Sequence, residues 1–305
     1  MSLGWTLFIA FLTALNILGC VWLIWYTSRR RKDEPETTGH VWDEDIREYN
    51  KPLPRWWVNL FYLTIAFSIG YLIWYPGVGG FAGLSGWTSA AEHEAERARQ
   101  EARFLERFGR YAEMPIPEIA RSPEAMRFGA ALFANHCAMC HGSDARGAPG
   151  FPNLRDGHWQ WGGSPEAILH TIVHGREGLM PGFAAALGSE SAVSEVAVYV
   201  QSLAGLRVDP ALAAAGRQRY QLICAACHGP EGRGNPLIGA PDLTAGAFTH
   251  GASFDAIRKT IAEGRHGIMP PQGPVLGELR ARILAAYVWG LNPPEAGGVA
   301  AGALP

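Results

Sequence analysis

The chain has 305 residues and a net charge of −2; only 18% of its side chains are charged, and 11 are tryptophan. That length holds two or three folded units. With so little net charge, bulk electrostatics say nothing about nucleic acid, which is not an expected partner, and the aromatic-rich, charge-poor composition points towards a membrane.

Residues 1–28 carry no charge, and 3–26 is a predominantly apolar run. A second run covers 56–75, with no charge after it until Glu92. About 20 apolar residues cross the hydrocarbon core of a bilayer, so both segments are predicted transmembrane helices. A cleaved signal peptide would carry positive charge before its apolar run. Here Arg29, Arg30, Arg31 and Lys32 come after it, which predicts a retained anchor. The loop 29–55 holds seven Lys or Arg. By the positive-inside rule it is cytoplasmic, and both termini lie on the opposite side. Trp22, Trp25, Tyr26, Trp56, Trp57, Trp74 and Tyr75 sit where aromatic belts do. The loop itself reads as a solvated connector, and its His40 as no ligand.

Residues 76–120 form a linker and stalk. After Pro76 and three nearby glycines, Thr88 or Ser89 offers a helix N-cap. Residues 91–112 then hold five Glu and five Arg, with Glu94/Arg97, Glu96/Arg99 and Glu106/Arg110 at helical spacing. This predicts a solvated helix whose charges cancel, ended by the Met114–Pro117 stretch.

Two copies of Cys-x-x-Cys-His follow, at Cys137, Cys140, His141 and at Cys224, Cys227, His228. The spacing is that of c-type haem attachment. Two cysteines three apart stand on one side of a helical turn, where each thiol can add to a haem vinyl group. The adjacent histidine ligates the iron. A thioredoxin-like pair would need a βαβ setting. A zinc site would need a second pair close by, whereas the other copy lies 87 residues away. Cys20 is the only cysteine left, so no structural disulfide is expected.

The surroundings of the two motifs also repeat. Gly129 and Phe133 match Gly216 and Tyr220; Asn153-Leu154 matches Asp242-Leu243. Gly178-Leu179-Met180-Pro181 matches Gly267-Ile268-Met269-Pro270, and residues 196–203 match 284–291. Two tandem domains are expected, 121–207 and 208–293, before a tail over 294–305. Each reads as three helices, with the glycine of the first crossing an aromatic (Tyr199 or Tyr287) of the last. The fold class is therefore all-α, two transmembrane helices followed by two domains resembling class I cytochrome c. Met180 and Met269 are the candidate sixth ligands, since a thioether raises the haem potential. His170, His174, His250 and His266 are rivals, but none recurs in the other repeat; His136 and His158 read as surface or haem-edge residues. Residues 123–206 carry a net charge of −3 and 210–291 of +3, which favours the two packing together.

The two spans, the loop HVWDED…NKPLPRWW, the WTS segment at 87–89 and the two haem motifs together resemble the CcoP/FixP family, over nearly the whole chain. These are dihaem subunits of cbb3-type cytochrome c oxidases. The resemblance implies two covalently attached haems c and a place in the bacterial inner membrane, with termini and haem domains periplasmic. It implies electrons arriving from a soluble cytochrome c or a quinol-oxidising complex. They leave through a monohaem cytochrome c subunit for the haem–copper catalytic subunit. It further implies that each methionine serves the other domain's haem, Met269 with His141 and Met180 with His228; spacing alone would pair His141 with Met180. A cytochrome subunit of another periplasmic dehydrogenase or of a nitric-oxide reductase is an alternative, and a haem peroxidase or gas sensor a third. No Ser-His-Asp set, phosphate loop or paired-carboxylate site is visible, so no catalytic residue is expected.

Overall fold

A computed structural model describes residues 2–29 and 35–292. Arg30, Arg31 and Lys32 of the expected cytoplasmic loop, and the tail 294–305, lie outside the described residues. The chain divides into two compact units, 1–103 and 104–305.

In the first unit, α1 (Leu3–Thr27) and α2 (Arg55–Trp74) are each long and apolar enough to cross a membrane. At 1.5 Å per residue they reach ~37 and ~30 Å. Neither buries a residue within the protein, so their apolar surface has only lipid or a partner to face. Between them the expected connector is instead a hairpin of β1 (Thr37–Trp42) and β2 (Ile46–Tyr49). Its turn runs through Asp43 and Glu44, both at positive φ, a conformation that Asp tolerates better than most residues. His40 stacks on Trp42 there, 4.5 Å between ring centroids.

Helix α3 (Ser89–Phe108) begins where Thr88 Oγ1 accepts from the Ala91 amide at 3.1 Å, so Thr88 is the cap. The pairs Arg97–Glu94 and Arg99–Glu96 form, at 2.7 and 2.6 Å. Glu106/Arg110 does not. The helix ends at Phe108, Arg110 falls in the following tight turn, and its guanidinium turns to Glu124 at 2.6 Å. Nor is the C-terminal end solvated: Phe104 and Phe108 are buried. The charge pattern hid this apolar stripe.

The rest of the second unit contains α4 (Ile116–Ile119), α5 (Pro123–His136), α6 (Ala138–His141) and α7 (Pro165–His174). Then come β3 (Arg176–Pro181), α8 (Ala184–Leu187) and α9 (Glu190–Leu203). The second repeat supplies α10 (Pro210–Ile223), α11 (Ala225–His228), α12 (Phe254–Glu263), β4 (Gly264–Met269), α13 (Gly273–Leu276) and α14 (Glu278–Gly290). Starts are set by side-chain caps: Ser122, Ser164, Ser189, Asp209 and Ser253 each accept from amides of the first turn.

The three-helix sets do not close within their own repeats. Helix α14 packs on α5, α7 and α4, whereas α9 packs on α10 and α12. One core therefore joins Phe133, Ile168 and Ile172 of the first repeat to Ile283, Leu284 and Ala285 of the second. The other joins Val193, Val196 and Tyr199 of the first to Tyr220, Ile257 and Ile261 of the second. The glycine crossings form as expected in kind but with the partners exchanged. Gly129 meets Tyr287, and Gly216 meets Tyr199 and the Glu195 backbone; a side chain at either glycine would collide. The charge imbalance between repeats is used at these exchanged contacts. Glu195 and Glu190 of α9 bond Arg219 of α10 and Arg258 of α12, at 2.8 and 2.7 Å.

Two further strands were not foreseen. β3 and β4, one from each repeat, pair antiparallel over six rungs, from Arg176↔Met269 to Pro181↔Gly264, with Gly178↔Gly267 near the middle. Each is the segment carrying a candidate methionine.

Candidate haem sites

Each site starts at a helix end. Helix α5 stops at His136 and α10 at Ile223; Cys137 and Cys224 follow as the caps of both the long helix and the single turn that presents the second cysteine and the histidine. Gly142 and Gly229, at φ 77° and 75°, then turn the chain away. The histidines are the only buried polar or charged side chains among the described residues, His141 at 9% exposure and His228 at 8%. Nδ1–H of His141 donates to the Pro152 carbonyl at 3.0 Å, and that of His228 to the Pro241 carbonyl at 3.1 Å. Fixing the proton on Nδ1 leaves Nε2 as the free lone pair, the arrangement a metal-ligating histidine requires. Burial pushes the His228 pKa down, partly offset by the Pro241 bond, which further favours the neutral ligand form.

The thiols fit the same purpose. None of the four is in a disulfide. Burial, with its neighbouring cysteine, raises Cys137 to about 11, and Cys224 likewise to about 11. Both stay protonated at neutral pH and are poor at forming disulfides, which suits side chains reserved for a tethered cofactor.

Met269 is half-buried and packs against the core that also touches Cys137 and Ala138. Beyond it, the Gln272 amide donates to the Ile172 carbonyl of α7 at 2.9 Å. The mirror contact carries the strand of Met180: the Phe183 amide donates to the Ile261 carbonyl of α12 at 2.8 Å, and Phe183 packs in the core containing Cys224. Each methionine strand thus runs into the core of the other repeat's attachment motif. The rival histidines do not converge on these cores. His170, His174, His250 and His266 are all exposed; His170 stacks on His174 at 4.7 Å, and His266 bonds Glu177 at 2.8 Å. His136 and His158 are exposed as well, and Cys20 is exposed on α1.

A donor set of two thiols, one neutral imidazole and one thioether suits a covalently attached haem. The N-terminal domain of the cbb3 cytochrome oxidase protein FixP matches residues 34–82, and subunit III of cbb3-type cytochrome c oxidase matches 124–200 and again 211–288. The chain is 42% identical over 290 residues to the subunit CcoP of Rubrivivax gelatinosus, covering 95% of both proteins. The chain belongs to the CcoP/FixP family, subunit III of cbb3-type oxidases. It is also 39% identical over 277 residues to FixP of Sinorhizobium medicae, covering 85% of this chain and 95% of that protein. With CcoP of Cereibacter sphaeroides it shares 37% over 287 residues, covering 88% and 98%.

As a member of this family the chain is a membrane protein that binds haem c. Sequence reasoning missed Pro152 and Pro241, whose carbonyls orient the histidines. The signal was present, because Pro-Asn-Leu at 152–154 and Pro-Asp-Leu at 241–243 repeat around the matched pairs. It also missed Trp161, which packs on Gly178 of β3 and Gly239 of the second repeat.

Proposed function

We propose that this chain carries electrons to the catalytic subunit of a cbb3-type terminal oxidase, through two haems c held in segments 121–207 and 208–293. Cys137 and Cys140 tether the first and Cys224 and Cys227 the second; His141 with Met269, and His228 with Met180, close the coordination. The bound haem supplies one-electron chemistry between its ferrous and ferric states, and the protein's part is to hold it and set its potential. His141 and His228 present Nε2 because Pro152 and Pro241 fix the opposite nitrogen. The exchanged cores exclude water around both histidines and so favour the less charged ferrous state. Catalysis of oxygen reduction belongs to the haem–copper partner. This chain takes electrons from a soluble cytochrome c or a quinol-oxidising complex and passes them on through a monohaem cytochrome c subunit.

In this reading α1 and α2 anchor the chain in the bacterial inner membrane, with 29–55 cytoplasmic and both haem segments and termini periplasmic. The linker and stalk of 76–120 join the anchor to the haem segments. The observation that carries the proposal is the duplicated buried histidine with its ring tied to a proline carbonyl. Purification from native membranes tests it. The chain is expected with the mass of two haem groups added and together with a subunit carrying b-type haem and copper. A mature chain at its unmodified mass, or one co-purifying with a different dehydrogenase, refutes it.

A further inference from the structure

The β3–β4 ribbon holds two arginines at matching positions of the two repeats, Arg176 on its end rung and Arg265 one rung in from the other end. The Nε–H of Arg176 donates to Thr171 Oγ1 at 3.0 Å, and that of Arg265 to Thr260 Oγ1 at 2.9 Å. Each threonine is itself fixed, donating to the carbonyl four residues back at 2.8 Å (Ala167, Ala256). The threonines lie on α7 and α12, so each arginine is pinned to the core of its own repeat. The Arg176 guanidinium lies 5.0 Å from the centre of Trp161.

Three facts make these more than surface cations. Both are half-buried, yet among the described residues neither is in an ion pair with a carboxylate. The nearest acid in sequence to Arg176, Glu177, faces the opposite side of the ribbon and bonds His266. Further, the register sets Arg176 on the same rung as Met269 and Arg265 on the same rung as Met180. Cross-strand partners on one rung point to the same face. A half-buried, unneutralised guanidinium with its Nε engaged still offers terminal N–H groups, the geometry that recognises a carboxylate.

We propose that Arg176 and Arg265 are positioning residues that each bind a carboxylate of the haem in their own core, Arg176 at the His141 site and Arg265 at the His228 site, and thereby raise its potential. Haem carries two carboxylate side groups, and one-electron reduction adds one negative charge to a half-buried site. A fixed cation favours that state, and by neutralising the carboxylate it removes a charge that favours the ferric one. This rests on the two-haem reading above.

The test is a redox titration of the full-length protein in detergent, both haems loaded, followed by absorbance. Arg176→Gln is expected to lower one midpoint and leave the other in place; Arg265→Gln lowers the other. Arg176→Lys keeps the charge and holds its midpoint closer to the unmutated value than the glutamine variant does. Unchanged midpoints in both glutamine variants with intact spectra overturn the assignment, as does an equal shift of both haems or a lysine variant shifted as far as glutamine. If Arg176→Gln fails to retain haem, Thr171→Val decides: it frees the guanidinium while keeping its charge, and an unmoved midpoint overturns the proposal. Loss of the two-haem spectrum in the unmutated chain is a separate outcome that removes the underlying reading.

Discussion

Replacing Gly216 by alanine tests the exchange of the last helices. A Cβ on Gly216 would land on the Glu195 carbonyl, 2.5 Å from the carbonyl carbon and 2.9 Å from Tyr199 Cβ. The first two atoms are backbone, so no rotamer change relieves the contact and α9 must move off α10. Overpacking of this kind costs about 3 kcal/mol, the upper part of its usual range. Alanine returns about 1 kcal/mol in helix propensity. The net loss is about 2 kcal/mol, or roughly a 30-fold rise in local opening. At Gly129 the nearest atoms are Tyr287 Cβ at 2.7 Å and the Ile283 carbonyl at 3.2 Å, a milder conflict. There the cost of about 1–2 kcal/mol is nearly offset. Hydrogen exchange read by mass spectrometry on the intact chain measures both. Gly216→Ala should speed exchange in α9 and α10 together and leave α14 as it was. Faster exchange in α14 instead would mean that each repeat closes on its own last helix, and unchanged exchange everywhere would refute the packing argument.

Met269→Leu should lower the potential of one haem and Met180→Leu that of the other, each haem staying covalently bound; redox titration and a pyridine haemochrome assay read the two properties. Exchanging Cys137 for alanine should reduce haem attachment in the first site and loosen the α5–α14 contact, seen as lower haem content per chain and faster exchange in α14. Hydrogen bonding and the charge of Arg219 lower the Glu195 pKa below the ordinary glutamate value. A group depressed in the folded state stabilises it above the unfolded pKa and ceases to as pH falls through the folded one. Exchange in α9 should therefore quicken below about pH 4, and Arg219→Gln should remove that pH dependence; a profile unaltered by the substitution would count against the pair.

Much of this architecture was readable before any coordinates. The attachment motifs, both spans, the three helices of each repeat and the helix crossings at Gly129 and Gly216 are local signals, and local signals survive in sequence. The crossing partners did not, because Tyr199 and Tyr287 occupy equivalent positions in matching helices. Periodicity cannot say which of two similar faces a glycine will meet. The methionine ribbon was hidden for a related reason: Gly-x-Met-Pro reads as a loop until a second copy pairs with it across the repeat. The stalk's alternating charges masked Phe104 and Phe108, two aromatic residues spaced to share one helix face. The proline carbonyls were overlooked because a backbone acceptor leaves no side-chain signature.

The swapped α9 and α14 also bear on how the chain can be made. A ribosome releases the first attachment motif long before the helix that completes its core, since α14 emerges some 140 residues after His141. Until then α5 and α7 have no lid, and under the proposed attachment whatever joins haem to Cys137 and Cys140 would meet an open cleft. Synthesis order thus leaves the earlier site accessible for longer than the later one. Neither half can be cut out as a free-standing miniature: a fragment stopping at 207 would keep α4, α5 and α7 and lose the α14 that packs on them.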